Sequence, residues 1–171
     1  MHNLAVVYIE EGRPGDAEAV LEELVGRHPS VAAWTLLGLS MMAQHRPQDA
    51  LVPFGRALEI DDRWNLRLRV VDALVAAYRF QEALEGLRQL LPMAPEGEQP
   101  ALWLRMAQLE EGSGRREDAM SSLTKALSAG ATGMVRIEAE HRLKALLPVK
   151  SARPSSSAVA QFLGRALPWA R

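Results

Sequence analysis

A five-residue signature occurs four times along the chain: Arg13-Pro14-Gly15-Asp16-Ala17, Arg46-Pro47-Gln48-Asp49-Ala50, Arg79-Phe80-Gln81-Glu82-Ala83 and Arg115-Arg116-Glu117-Asp118-Ala119. Its alanines are 33, 33 and 36 residues apart. A period of that size marks a stack of small supersecondary units, none of which can bury its apolar face alone. Such a stack offers surfaces to partners and rarely carries chemistry of its own.

The second unit shows what each copy contains. Trp34, Leu37 and Gly38 stand at helical spacing, a polar turn follows at His45 to Gln48, and Ala50, Phe54 and Ala57 mark a second helix. The run resembles the tetratricopeptide repeat family, whose pattern is Trp, Leu-Gly, Tyr, then Ala, Phe, Ala and a closing Pro. Met41 and Asp62 depart from it. The fourth unit keeps Trp103, Met106, Ala107, Ala119, Leu123 and Ala126; the first keeps Leu4, Ala5, Tyr8, Ala17, Leu21, Leu24 and Pro29. In the third, Val70-Val71 replaces Leu-Gly, and Trp64 precedes the expected place by three residues. The resemblance covers residues 1 to 131 and implies an all-α, right-handed α-solenoid of about four helix-turn-helix repeats. An ankyrin array shares the period but requires a Thr-Pro-Leu-His run, which is absent.

Physical patterning leads the same way. Small residues at Ala17, Gly38, Ala50, Ala83, Ala107 and Ala119 let antiparallel helices approach, while Leu37, Phe54, Leu87 and Leu123 fill the space between them. Breakers predict helices near 2–11, 15–27, 31–44, 48–60, 64–78, 81–91, 100–112, 116–129 and 133–147, with the longest loop over Pro92 to Pro100. Pro53 should bend the fourth helix unless that helix starts late enough to hold it in the first turn. The ninth, with Val135, Ala139, Leu143 and Leu146 on one face, reads as a cap on the open end of the stack. The expected organisation is a solenoid over 1–147 with its capping helix at 133–147, a linker at 148–157 and a basic amphipathic tail segment at 158–171.

Composition narrows the class. With 48% apolar residues, no span of eighteen consecutive apolar ones, no cysteine and no basic leader followed by an apolar stretch, the chain reads as a soluble cytoplasmic protein. Charge is divided unevenly: residues 141–171 hold six of the 20 lysines and arginines and none of the 21 acids. The solenoid is therefore acidic, which argues against nucleic acid as a partner.

Chemical constellations are few. Glu138 and His141 have the spacing of a carboxylate-histidine metal pair but lack the further ligands of a di-metal bundle. Ser122 and Lys125 match Ser-x-x-Lys without a shaped pocket. Gly112-Ser113-Gly114 lacks the strand and third glycine of a dinucleotide loop. His2, His28 and His45 sit at a terminus, a helix end and a turn. The arginines of the signature read as solvated turn residues whose acid, three positions on, supports the next helix through its dipole. No catalytic, cofactor or metal site is expected, and an enzyme is not.

The resemblance assigns partner binding to the concave side, lined by the first helix of each unit. Its expected residues are Val6; Thr35, Leu36, Leu39 and Met42; Leu68, Arg69 and Asp72; and Leu104, Arg105 and Gln108, some of these leucines serving as inter-repeat core. Val6 and Leu36 stand where a terminal-carboxylate clamp would need asparagines. The expected function is a scaffold or adaptor that lays a partner protein's helix or peptide in the groove, with aliphatic anchors for affinity and Arg69, Asp72 and Arg105 for orientation. The alternative is an export or assembly chaperone that masks a client's hydrophobic segment. In the tail, Val159, Phe162, Leu163, Leu167 and Trp169 predict docking on the protein itself or on a neighbouring copy, in preference to a membrane, because the amphipathic helix proper offers only Arg165 on its polar face.

Overall fold

The computed structural model describes residues 1–147. Among these lie nine α-helices and no strand: α1 (His2–Glu10), α2 (Pro14–Arg27), α3 (Val31–Ala43), α4 (Pro47–Ile60), α5 (Trp64–Ala76), α6 (Phe80–Leu90), α7 (Gln99–Gly112), α8 (Arg116–Ser128) and α9 (Gly133–Leu146). A short 3-10 turn, Leu91–Met93, follows α6. Every helix lies within two residues of its sequence-predicted bounds. The linker and the tail, including Val159, Phe162, Leu163, Leu167 and Trp169, fall outside the described residues.

Helices pack in chain order, each on the next, with α1 also touching α3 and α7 touching α9. The result is an α-solenoid of helical pairs, α1/α2, α3/α4, α5/α6 and α7/α8. Helix α9 closes its end, laying Val135, Ala139, Leu143 and Leu146 on the cluster of Leu104, Ala107, Leu123 and Ala126. Ala139 takes on α9 the place that Ala107 takes on α7, so the closing element is in register with the first helices of the units before it.

One backbone device makes all four turns within the pairs. Each first helix ends in a residue of positive φ, namely Gly12, His45, Tyr78 and Gly114. The next residue is the signature arginine, whose N–H reaches back to the carbonyl of Tyr8, Met41, Leu74 or Glu110 at 2.8 to 2.9 Å. The N–H of the positive-φ residue bonds the carbonyl of Ile9, Met42, Val75 or Glu111. These two bonds form the Schellman motif, which satisfies carbonyls that a helix end leaves open. The same arginine is the N-cap of the following helix. Three of the four arginines then hold the acid of that helix's first turn: Arg13 donates to Asp16 at 2.7 Å, Arg46 to Asp49 at 2.7 Å, and Arg79 to Glu82 at 2.5 and 2.6 Å. Arg115 departs, donating to Gln81 of the preceding unit at 2.8 Å.

Packing inside the pairs follows volume. Gly38 abuts the buried ring of Phe54, which a Cβ at position 38 would approach to 2.5 Å. The third unit, whose Val71 breaks the sequence pattern, carries the compensating glycine on its second helix. A Cβ at Gly86 would lie 2.9 Å from Val71 Cγ2. Helix α4 starts at Pro47, so Pro53 is in its interior, buried, and not in a first turn. The insertion that lengthens the last period places Leu91 and Ala94 in the core, and α6 and α7 make the sparsest contact of any consecutive helices.

Candidate partner-binding groove

The first helices of the units share one register, set by the buried residues Ala5, Gly38, Val71, Ala107 and Ala139. Counting from these anchors, the residue just after one anchor corresponds across the groove to the residue two before the next. Four rungs result: Val6 with Leu36, Leu39 with Arg69, Asp72 with Arg105, and Gln108 with Ile137. The third rung is an ion pair between Arg105 and Asp72, which joins α7 to α5. A second link on this face runs from Arg142 to Glu111 at 3.0 Å, joining α9 to α7. Burial opposes the Arg142 charge, yet the hydrogen bond to Glu138 and the attraction of Glu111 outweigh it and raise its pKa.

The predicted groove residues therefore sort by environment. Val6, Thr35, Leu36, Leu39, Met42 and Leu68 are half-buried, leaving part of each side chain open. Leu39 and Met42 rest on Ala50, Phe54 and Ala73, while Leu36 rests on the cluster of Ala5, Ala17, Leu21 and Leu37. Leu104 is only 8% exposed and belongs to the core. Arg69 and Gln108 are exposed. The Thr35 hydroxyl is spent on the Val31 carbonyl at 2.7 Å. Asp72 and Arg105, read from sequence as handles for a partner, hold each other. At the mouth of the apolar half lies a cleft of about 330 Å³, lined by His2, Val31, Ala32, Thr35, Leu36, Arg63, Asn65 and Leu66.

Sequence reasoning missed Ile137, which is 60% exposed and stands on α9 two residues before Ala139, the register position of Leu36, Arg69 and Arg105. The signal for it was the register of Ala139. It also missed a cleft of about 570 Å³ at the turn edge between units two and three, bordered by His45, Arg46 and Tyr78. Between units one and two, the homologous gap is bridged by Gln44 and Arg46, which both donate to Glu18, at 2.6 and 2.9 Å. Leu51 and Ala77 stand at the corresponding places between units two and three, and the gap stays open.

The chemical candidates take structural roles. The Ser122 hydroxyl donates to the buried Glu110 carboxylate at 2.7 Å, and Lys125 lies 4.6 Å above the Trp103 ring. Glu138 accepts a hydrogen bond from Arg142, whereas His141 is exposed. Among the described residues, no three His, Asp or Glu side chains are grouped to hold a metal ion, and no helix is long and apolar enough to cross a membrane.

Comparison with known proteins agrees with the register of the helices. Residues 2–64 match the model of the tetratricopeptide repeat family. The match spans 63 of the 171 residues and assigns tetratricopeptide repeats to that stretch. Among solved structures it is similar to a MamA RS-1 double mutant, with a TM-score of 0.71 at 16% identity over 94% of this chain and 88% of that one. It is also similar to the nearly identical TPR-like repeats of a Podosopora anserina protein described as a kinesin light chain, with a TM-score of 0.69 at 18% identity over 85% and 82%. A thermophilic TPR protein of Thermus thermophilus gives a TM-score of 0.62 at 20% identity over 85% and 79%. At these identities the likeness is one of fold. No curated protein matches the chain by sequence. A tetratricopeptide repeat solenoid is in general a scaffold for binding other proteins.

Proposed function

We propose that this tetratricopeptide repeat protein is a non-catalytic cytoplasmic adaptor that holds a helix or extended peptide of a partner protein in its concave groove. The observation that carries this reading is the apolar strip of Val6, Leu36, Leu39 and Met42. Leu36, Leu39 and Met42 are packed below and open above, so they are fixed in place before a partner arrives, and little ordering entropy is lost on binding; Val6 is half-buried. Affinity comes from burying their remaining apolar surface under a partner's aliphatic side chains.

The test is selection from a displayed random-peptide library on the full chain. The wild type and Val52→Glu, a change on the exposed outer face of α4, are expected to enrich the same peptides. Leu39→Glu is expected to lose them, since a central anchor is worth about 2 kcal/mol or more. If Leu39→Glu retains the wild-type peptides, the groove is not the binding surface.

A further inference from the structure

The four rungs of the groove are chemically unequal, and the inequality leaves one of their two arginines without a counter-ion among the described residues. Asp72 on α5 supplies the carboxylate for Arg105 on α7. One rung earlier, the place of Asp72 is taken by Leu39 and the place of Arg105 by Arg69. Helix α3, which bears Leu39, contains no acidic residue at all. The other two arginines at the start of α5 are matched: Arg63 pairs with Asp61 at 2.5 Å, and Arg67 takes both oxygens of Asp62 at 2.5 and 2.6 Å. Arg69 is exposed and forms no ion pair among the described residues. It stands at the boundary between the apolar strip and the ion-paired half of the groove.

Building on the groove reading, we infer that the groove recognises an acidic amphipathic segment, one that carries a side-chain carboxylate within one helical turn of an aliphatic anchor. The aliphatic residue lies on Leu36 and Leu39, and the carboxylate takes the position on Arg69 that Asp72 takes on Arg105. Arginine suits this role because its planar fork meets a carboxylate through two parallel N–H donors. The same charge disfavours the chain's own C-terminal segment as the occupant, because residues 141–171 carry six basic residues and no acid. The partner supplies the carboxylate that α3 does not.

The library selection described above tests this with three proteins and reads the charge of what is enriched. The wild type is expected to enrich Asp or Glu beside aliphatic residues, and Arg69→Glu to enrich Lys or Arg at that position. Leu39→Asp, which places in the chain the carboxylate of the neighbouring rung, is expected to abolish the acidic preference. For one selected peptide, exchanging its acid for the amide should weaken binding to the wild type about two- to fivefold, the range of a surface ion pair, and should not weaken binding to Arg69→Glu. Because Arg69 is exposed, its variant tests the inference even if Leu39→Asp disturbs folding. Aliphatic peptides without an acidic preference, or an acidic preference that survives in Arg69→Glu, overturn the inference while the groove reading stands. Enrichment of basic sequences resembling residues 158–171 overturns it in favour of the chain's own tail. A wild type that enriches no peptide overturns the groove reading itself.

Discussion

Units two and three are neighbours that make room for a large residue between their paired helices in different ways. In unit two the first helix gives way, with Gly38 under the ring of Phe54; in unit three the second helix gives way, with Gly86 under Val71. Units one and four take a middle course, with Ala5 near Leu21 and Ala107 near Leu123. In the shared register the partner of Val71 is Leu87, so unit three keeps two large residues at that contact and finds room one position earlier, at Gly86; in an interior packed to crystal-like density a void or a clash costs more than a change of residue.

The largest expected effect breaks this comparison. Gly38→Ala drives a methyl group against three ring atoms of a fully buried phenylalanine, so a loss of about 1–3 kcal/mol is expected in urea unfolding. Adding Phe54→Leu converts unit two to the alanine and leucine of units one and four, and the double variant should be more stable than Gly38→Ala alone. Gly86→Ala meets only one methyl carbon of Val71, and a gain in helix propensity of about 1 kcal/mol works against the clash. Its stability should therefore stay within about 1 kcal/mol of wild type. Equal losses for the two glycine substitutions would show that the atoms standing in the way of the added methyl group do not govern the cost.

A smaller effect separates units two and three from units one and four. All four turns need a positive φ, which glycine supplies at Gly12 and Gly114, whereas His45 and Tyr78 adopt φ of 58° and 59° with a side chain present. The left-handed conformation costs an ordinary residue about 1–2 kcal/mol, of which glycine's greater freedom in the unfolded chain takes back a part. Tyr78→Gly and His45→Gly should each stabilise the protein by about 0.5–1 kcal/mol, seen as a rise in Tm. Tyr78 is 81% exposed and touches Phe80 only edge-on, so little packing is lost with its ring. A fall in Tm on both changes would mean that the two turns draw stability from their side chains.

The smallest effect distinguishes two of the four signature arginines. Arg46 divides its guanidinium between Asp49 and Glu18, while Arg79 gives two N–H groups to Glu82 alone. The hydrogen bond from Arg79 holds the Glu82 carboxyl below its ordinary pKa. Glu82 therefore favours the folded state fully above its unfolded-state pKa, and this contribution drains away as pH falls through the lower folded-state value. An NMR titration of the glutamate side chains should find Glu82 titrating low, and Arg79→Met should return it to the ordinary range. Glu82 titrating alike in both proteins would remove the bond as its cause.

Local signals explain why so much of the solenoid was legible. Apolar periodicity, prolines and the repeated signature each act within a few residues, and they located all nine helices of the described residues. The pairings that escaped join residues distant in sequence. Val71 looked like a defect because its compensating Gly86 lies on another helix, and Asp72 and Arg105 looked available because each is the other's partner across a whole unit. His45 and Tyr78 carry no glycine signal for the conformation they adopt. The register of Ala139 was visible, but reading α9 only as a seal hid the exposed Ile137 at the position of Arg69 and Arg105.

The order in which the helices touch sets how far a local event can be felt. Among the described residues the main contacts run from each helix to its chain neighbours and, for α1 and α7, also to the next-but-one, so a disturbance travels chiefly along a line of linked elements. Between α6 and α7 that line is thinnest, and the inserted turn places Leu91 and Ala94 in the core that the two helices share with α5. Across that thin point the Asp72–Arg105 ion pair ties α5 directly to α7, so the groove face itself carries the coupling that the α6–α7 contact lacks.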